Sequence, residues 1–206
     1  MSCCDNEHED EIKDQHYRKI LWLVLVLNLV MFGVETVASH ISGSVSLLAD
    51  ALDFFGDAAN YGISLYVLSR SITYKAKASF LKGGTMAVFG LYVLGSAVYR
   101  YLQNSTPDAE VMGAIGLLAL LVNVGCMMLL YSQRKGDINR ESVWICSRND
   151  VIANIAVLLA AYGVYTTGSF WPDIIVAILI AALCLKSAFY VIRSALTQLH
   201  NHKKAG

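Results

Sequence analysis

Three aspartates, Asp50, Asp53 and Asp57, stand in a long apolar stretch over residues 44–70. Spacings of three and four residues place their carboxyl groups along one stripe of a helix. The stretch is long enough to cross a bilayer, where a charge at the centre costs about 2.5–3.5 kcal/mol on insertion scales. Because this cost is high, acids inside membrane segments tend to be functional. Binding of a cation is the chemistry that these carboxylates indicate.

A second polar stripe lies further along the chain, where Cys146, Asp150 and Asn154 recur every four residues. Each such step drifts by about 40° around a helix, so a thiol, a carboxylate and an amide share one face. Two segments therefore each offer a pair of potential metal ligands spaced by four. The predicted ligands are Asp53, Asp57, Cys146 and Asp150, and four ligands suffice for a tetrahedral site.

Tetrahedral coordination by oxygen and sulfur suits zinc, cadmium or cobalt better than magnesium or calcium, which take six or more hard oxygens. Three carboxylates and a thiolate in a low-dielectric site cannot all be ionised without a cation, so the empty site must hold protons. A divalent metal displaces these protons when it binds, which makes exchange of metal for protons a hypothesis. Asp50 and Asn154 are expected to support the ligands from beside the site.

The composition places these residues in a membrane protein. The chain has 206 residues, of which 56% are hydrophobic and only two are proline, and its mean hydropathy is +0.51. These values are not typical of a soluble domain. Lys and Arg balance Asp and Glu at 16 each, so no nucleic-acid partner is indicated. The first apolar segment follows acidic residues and lacks a small-residue cleavage site, so we expect no signal peptide.

Six apolar segments come near the twenty residues that about 30 Å of hydrocarbon requires. They predict an all-α polytopic membrane protein with six transmembrane helices, over residues 20–39, 44–69, 78–102, 111–133, 142–167 and 171–196. We divide the chain accordingly into an acidic cytoplasmic tail (1–19), a transport domain (20–196) and a short cytoplasmic tail (197–206).

Basic residues predict the orientation of the segments. They flank the start of the first segment and fill the second and fourth connections and the end of the chain, whereas the other connections have none. This alternation follows the positive-inside rule and predicts that both termini are cytoplasmic. We expect the protein to lie in a bacterial inner membrane. Counted at 1.5 Å per residue, Asp57 lies about 20 Å from Arg70, whereas Asp150 lies about 15 Å from Arg140.

Several other polar residues inside the segments have more than one interpretation. Glu35, seven residues after Asn28, lies near the outer end of its segment, where it can reach water, join a packing contact or belong to a path for protons or ions. Arg148 is a candidate counter-charge for the acids. The alternative interpretation of the acids is structural, with pairing to Arg148 or to amides that fixes helix packing. Two ligand pairs on separate segments favour the metal site over this alternative.

The cysteines and histidines outside the two stripes carry weaker signals. Cys126 and Cys184 stand among apolar neighbours and are interpreted as small buried hydrophobic residues. Near the amino terminus, Cys3, Cys4 and His8 could capture a soft metal, although ordering a tail costs entropy and adjacent cysteines strain a tetrahedral shell. The other interpretation of this tail is a disordered acidic head. No disulfide framework is visible in the five cysteines.

The two stripes carry a resemblance to a known family. The run GSVSLLADALDFFGDAANYGISL, followed three segments later by CSRNDVIANIAVLLAA, resembles the second and fifth transmembrane helices of the cation diffusion facilitators. The resemblance implies six helices, cytoplasmic termini, a homodimer and proton-coupled export of divalent transition metals. The family's ligand pattern falls here on Asp53, Asp57, Cys146 and Asp150.

Two departures from the family pattern bear on function. Cys146 stands where the family usually has histidine in the fifth helix, and a thiolate is softer than imidazole, which favours cadmium and zinc over manganese. Family members commonly continue into a cytoplasmic domain, whereas this chain ends soon after its sixth segment. We therefore expect the transmembrane domain only.

The sequence thus predicts a secondary transporter that exports a divalent metal by alternating access, with zinc first and cadmium or cobalt next. Its partners are the metal ion, protons and the lipid bilayer, and we expect neither a resident cofactor nor an enzyme activity. The main alternative is a membrane-embedded metal-binding or sensing protein without turnover. A proton-coupled exporter of organic cations is a weaker alternative, because it would need an aromatic-lined cavity.

Overall fold

The chain is built from six α-helices in a computed structural model, which describes residues 3–67, 72–132 and 138–205. Side chains are described for residues 15–63, 65, 80–81, 83–132, 144, 147–193 and 196–197. In chain order the helices are α1 (Cys3–Ser42), α2 (Val45–Val67), α3 (Ile72–Gln103), α4 (Ala109–Tyr131), α5 (Ile138–Thr167) and α6 (Trp171–Ala205). The described ranges contain no strand, and the predicted all-α fold with six helices is confirmed.

Five of the six helices have the length and apolar composition to cross a membrane. These spans are Gln15–Ser42, Gly83–Gln103, Ala109–Tyr131, Ser147–Thr167 and Trp171–Arg193. The remaining helix, α2, is 23 residues long but carries the three aspartates. Large apolar side chains such as Val37, Leu102 and Tyr190 are exposed on the outside of the bundle, where lipid can cover them. The protein is an integral membrane protein with several spans.

Helix α2 lies at the centre of the bundle. It packs against α1, α3, α5 and α6, while the other extensive contacts are between α3 and α6 and between α4 and α5. Close approach of α3 and α6 depends on Gly83 and Gly90. A methyl group at Gly83 would lie 2.6 Å from Ile192, and one at Gly90 would lie 2.7 Å from Leu185. The central position of α2 puts its aspartates among neighbouring helices rather than in lipid.

The turn between α1 and α2 is closed by groups from α3 and from the start of α4. Gly43 has a φ of 72°, which an L side chain rarely adopts, and the guanidinium of Arg100 from α3 lies against it. The amide of Asp108, which caps α4, donates to the carbonyl of Ser42 at 2.8 Å. At the same end of the bundle, Gly163 of α5 approaches Pro172 of α6. Therefore α2 begins where α5 ends, and the two helices run antiparallel.

Candidate metal centre

The start of α2 is held by an aspartate from another helix. Asp173, in the first turn of α6, is 2% exposed and accepts hydrogen bonds from the Ser44 hydroxyl at 2.6 Å and from the amides of Val45 and Ser46 at 2.8 and 3.0 Å. The two amides are among the groups that a helix leaves unpaired at its amino terminus, where negative charge is also favoured. Asp173 therefore fixes α2, and the aspartates on it, relative to α6.

One hydrogen bond joins the two helices that carry the predicted ligands. Asn154 of α5 donates its side-chain amide to Oδ1 of Asp50 on α2 at 2.9 Å, and both residues are almost fully buried. Two of the residues predicted to support the site are thus brought together. Their contact sets the register between α2 and α5.

This register places the two ligand pairs at similar depth. Counted from the hydrogen bond at 1.5 Å per residue, Asp53 and Asp57 lie about 4.5 and 10.5 Å along α2. Asp150 and position 146 lie about 6 and 12 Å along α5, in the same direction because the helices are antiparallel. The pairs therefore differ in depth by about 1.5 Å. Asp57 and Asp150, which differ by about 5 Å when counted from the basic residues, differ by about 4.5 Å in this register. At matching depth, Asp53 lies opposite Asp150, and Asp57 lies opposite position 146.

The predicted ligands differ in burial. Asp150 is 8% exposed, whereas Asp53 and Asp57 are partly buried, and all three make further interactions. A small cavity adjoins Asp53, with Phe89 of α3 and Cys184 of α6 in its wall. Across the side chains that the structure describes, no three His, Cys, Asp or Glu residues are gathered closely enough to hold a metal ion. The four-ligand site stays a prediction.

Several cysteines that are predicted to bind metal have side chains outside the described residues. The side chain of Cys146 lies outside the described residues, although its position falls within α5, one turn before Asp150. The same holds for the side chains of Cys3, Cys4 and His8, so the predicted capture of metal by the tail stays a prediction. The backbone of that tail is helical from Cys3 onward.

Two other thiols lie near the aspartates of α2, which spacing in the sequence did not indicate. Cys126 of α4 is fully buried, as predicted, but it lies within electrostatic range of Asp57. Its sulfur is 4.0 Å from the side-chain nitrogen of Asn28. Cys184 donates to the carbonyl of Met86 at 3.5 Å and lies within electrostatic range of Asp53. No periodicity could have found these contacts, because they join different helices.

Glu35 is placed differently from the expectation that it could reach water. It is 0% exposed and lies beside Asp50, because α1 and α2 pack along their lengths. A count of residues from the end of the helix gives depth but cannot say which face is covered by a neighbouring helix. Glu35 therefore belongs to the buried polar group around Asp50 and Asn154.

Arg148 makes its described contacts away from the buried acids. Its guanidinium lies 5.6 Å from the ring centre of Trp144 and donates to Oδ1 of Asn149 at 3.4 Å. The side chain is exposed. These contacts are typical of a basic residue at the membrane interface and give no support to a counter-charge role.

Comparison with known proteins identifies the family of the chain. The model of the cation efflux transmembrane domain matches residues 21–200. Among curated relatives, the zinc transporter ZitB of Yersinia pestis is 23% identical over 200 residues, which cover 91% of this chain and 64% of the relative.

Two further relatives are similar over the same part of the chain. The cadmium, cobalt and zinc/H(+)-K(+) antiporter of Bacillus subtilis is 21% identical, with 87% of this chain and 62% of the relative covered. The metal cation efflux system protein CzcD of Cupriavidus metallidurans is 24% identical, with 87% and 60% covered. The chain thus spans less than two thirds of the length of these relatives. With most of its residues matched by the family model, the chain belongs to the cation efflux family, the cation diffusion facilitators, which are transporters rather than enzymes.

Proposed function

We propose that the protein exports a divalent transition-metal cation from the cytoplasm, with zinc as its first substrate and cadmium or cobalt next. The metal binds between α2 and α5, to Asp53, Asp57, Cys146 and Asp150. Carboxylate and thiolate ligands in this number suit a tetrahedral ion of intermediate softness. The names of the relatives, which include zinc, cadmium and cobalt transporters, support this choice of ions.

The observation that carries the proposal is the 2.9 Å hydrogen bond between Asn154 and Asp50. It sets the register of α2 against α5, and in that register the two ligand pairs differ in depth by about 1.5 Å. Ligands on two helices can bind one ion only if they share a depth. The same carboxylates would be too far apart if either helix were shifted by two turns, about 11 Å.

Exchange against protons is the second part of the proposal. Without a metal ion, buried carboxylates repel one another, and protonation removes this repulsion. A divalent cation that binds to the carboxylates displaces these protons. Alternating access then requires α2 and α5 to open first to one side of the membrane and then to the other. Both termini are cytoplasmic in this scheme, the protein lies in a bacterial inner membrane, and it works as a homodimer.

Binding of zinc to the purified protein in detergent tests the ligand set. Wild-type protein is expected to bind one zinc ion tightly per transport site. We expect Asp53→Asn or Asp150→Asn to weaken zinc binding by tenfold or more, which corresponds to about 1.4 kcal/mol. Equilibrium dialysis with a zinc isotope measures the change.

A matched control is Glu110→Gln, which neutralises an exposed acid in the first turn of α4. This variant should bind zinc like the wild type. If the two site variants bind zinc as tightly as Glu110→Gln does, the ligand assignment is wrong.

A further inference from the structure

Three helices bring together a group of polar side chains that lies apart from the predicted metal ligands. Glu35 comes from α1, Asp50 from α2 and Asn154 from α5, and their exposed fractions are 0%, 1% and 0%. Burial of polar groups without partners is costly, and burial of a charge is more costly still. The hydrogen bonds that these buried groups make therefore indicate whether the carboxyl groups carry a proton.

A count of hydrogen bonds shows that the group lacks donors. Within this group, the side-chain amide of Asn154 donates a hydrogen bond to Oδ1 of Asp50. The remaining oxygens, both of Glu35, Oδ2 of Asp50 and Oδ1 of Asn154, are buried and accept no hydrogen bond from a described N–H or O–H group. In the described part of the chain, none of these four oxygens therefore has a hydrogen-bond donor.

The two carboxyl groups are nevertheless within hydrogen-bonding range of each other. Two ionised carboxylates can only accept, so a hydrogen bond between them needs a proton. The charged groups of α2 that interact with Glu35 are Asp50 and Asp53. From α5 it is the neutral Asn154 that reaches Asp50. Neither carboxyl group of α2 can donate a hydrogen bond to Glu35 unless one of them carries a proton.

We propose that Glu35 and Asp50 hold one proton between them, at a proton site separate from the four metal ligands. Glu35 carries the proton and donates it to Asp50, because Asp50 already accepts from Asn154 and is the better stabilised as a carboxylate. The neutral Glu35 then offers the donor that the group otherwise lacks. A short charge-assisted hydrogen bond replaces the repulsion between two buried charges.

This proton site has a role in transport, a part of the inference that rests on the proposed function. Asp53 lies one turn from Asp50 on α2, so a divalent cation bound there adds positive charge beside the pair. The cation favours ionisation of both carboxyl groups. The O–H bond of Glu35 then breaks, its electron pair stays on the oxygen, and the proton passes to water that enters the open site. One transported proton thus comes from a residue that never touches the metal.

Infrared difference spectroscopy on purified, metal-free protein tests the proton itself. The wild type is expected to show a carboxylic-acid C=O band that shifts in heavy water. The Glu35→Gln variant is expected to lose one component of this band. Glu110→Gln, at the exposed start of α4, should leave the band unchanged. A spectrum of Glu35→Gln that equals the wild-type spectrum overturns the proposal, whether or not the protein transports metal.

Flux measurements in proteoliposomes test the role in transport. Glutamine keeps the shape of Glu35 and can still donate a hydrogen bond, but it cannot release a proton. Glu35→Gln is therefore expected to keep exchange of internal for external zinc and to lose zinc uptake driven by an imposed pH gradient. Equal loss of both fluxes in folded protein, or gradient-driven uptake at the wild-type rate, contradicts this role. Absence of any zinc flux in the wild type would instead refute the proposed function, and the infrared result would still stand.

Discussion

Single residues show three ways of offsetting the burial of an acid in this protein. Asp173 accepts from the unpaired donors at the start of α2, and Asp50 accepts from the amide of Asn154. Glu35 has Asp50 itself as its polar neighbour. A buried carboxylate with several donors is stable as an anion, whereas one beside a second carboxylate is not. These three acids are all buried, and they differ in the hydrogen bonds that they accept.

The metal selectivity is predicted to depend on one thiol. Cys146→His replaces a soft ligand by imidazole and should shift the preference from cadmium toward zinc, because a thiolate binds soft cations more strongly. Competition between cadmium and zinc for uptake into proteoliposomes measures the shift.

Cys184→Ala is the matched control for this substitution, since it removes a thiol that lies near Asp53 in the wall of the small cavity. It should leave the cadmium-to-zinc ratio unchanged. If Cys184→Ala moves the ratio and Cys146→His does not, the soft ligand comes from α6 rather than α5.

Residue types and spacing predict the ligand pairs, but not the contacts around these residues. The steps of three and four along α2 and α5 depend only on helix geometry, so they could be read from the sequence. The proximity of Cys126 to Asp57 and of Glu35 to Asp50 depends on how different helices are rotated about their axes. Periodicity within one helix carries no such information.

At the scale of the helices, the position of α2 is set mainly by its ends and its neighbours. Its first residues follow the turn at Gly43, and its amino-terminal donors are taken up by Asp173. Apolar runs predicted six helices, which the structure confirms. They did not predict the backward extension of α1 to Cys3 or the extension of α6 to Ala205, because polar helical ends do not differ in hydropathy from loops.

The contact between Asp173 and α2 predicts a loss of stability when it is removed. Asp173→Ala leaves the amides of Val45 and Ser46 without their side-chain acceptor, at a cost of about 1–3 kcal/mol for a buried donor left unpaired. Asp173→Asn retains one acceptor oxygen and should cost less. Thermal unfolding of the purified protein in detergent measures both changes.

Asp108→Ala serves as the comparison, because Asp108 caps its own helix α4 from an exposed position. The loss of such a cap costs typically about 1 kcal/mol. An Asp173→Ala variant that is as stable as the wild type would show that Asp173 does not hold α2 in place.

On the scale of the whole molecule, the fold packs one helix that carries three aspartates among helices of apolar composition. The five helices other than α2 have the composition of membrane spans, and α2 packs against four of them. Lipid-facing side chains are apolar, while Asp50, Asn154 and Glu35 are buried inside the bundle. This separation allows a chain of which 56% is hydrophobic to bury a polar group at its centre.

The central claim is that the carboxylates of α2 and α5 carry a divalent metal across the membrane in exchange for protons. Uptake of zinc into proteoliposomes, with the internal pH recorded in the same sample, tests it most directly. The wild type is expected to take up zinc and release protons together, and Asp57→Ala and Asp150→Ala to lose both signals while Glu110→Gln retains them. Full zinc uptake and proton release in either alanine variant would contradict the account.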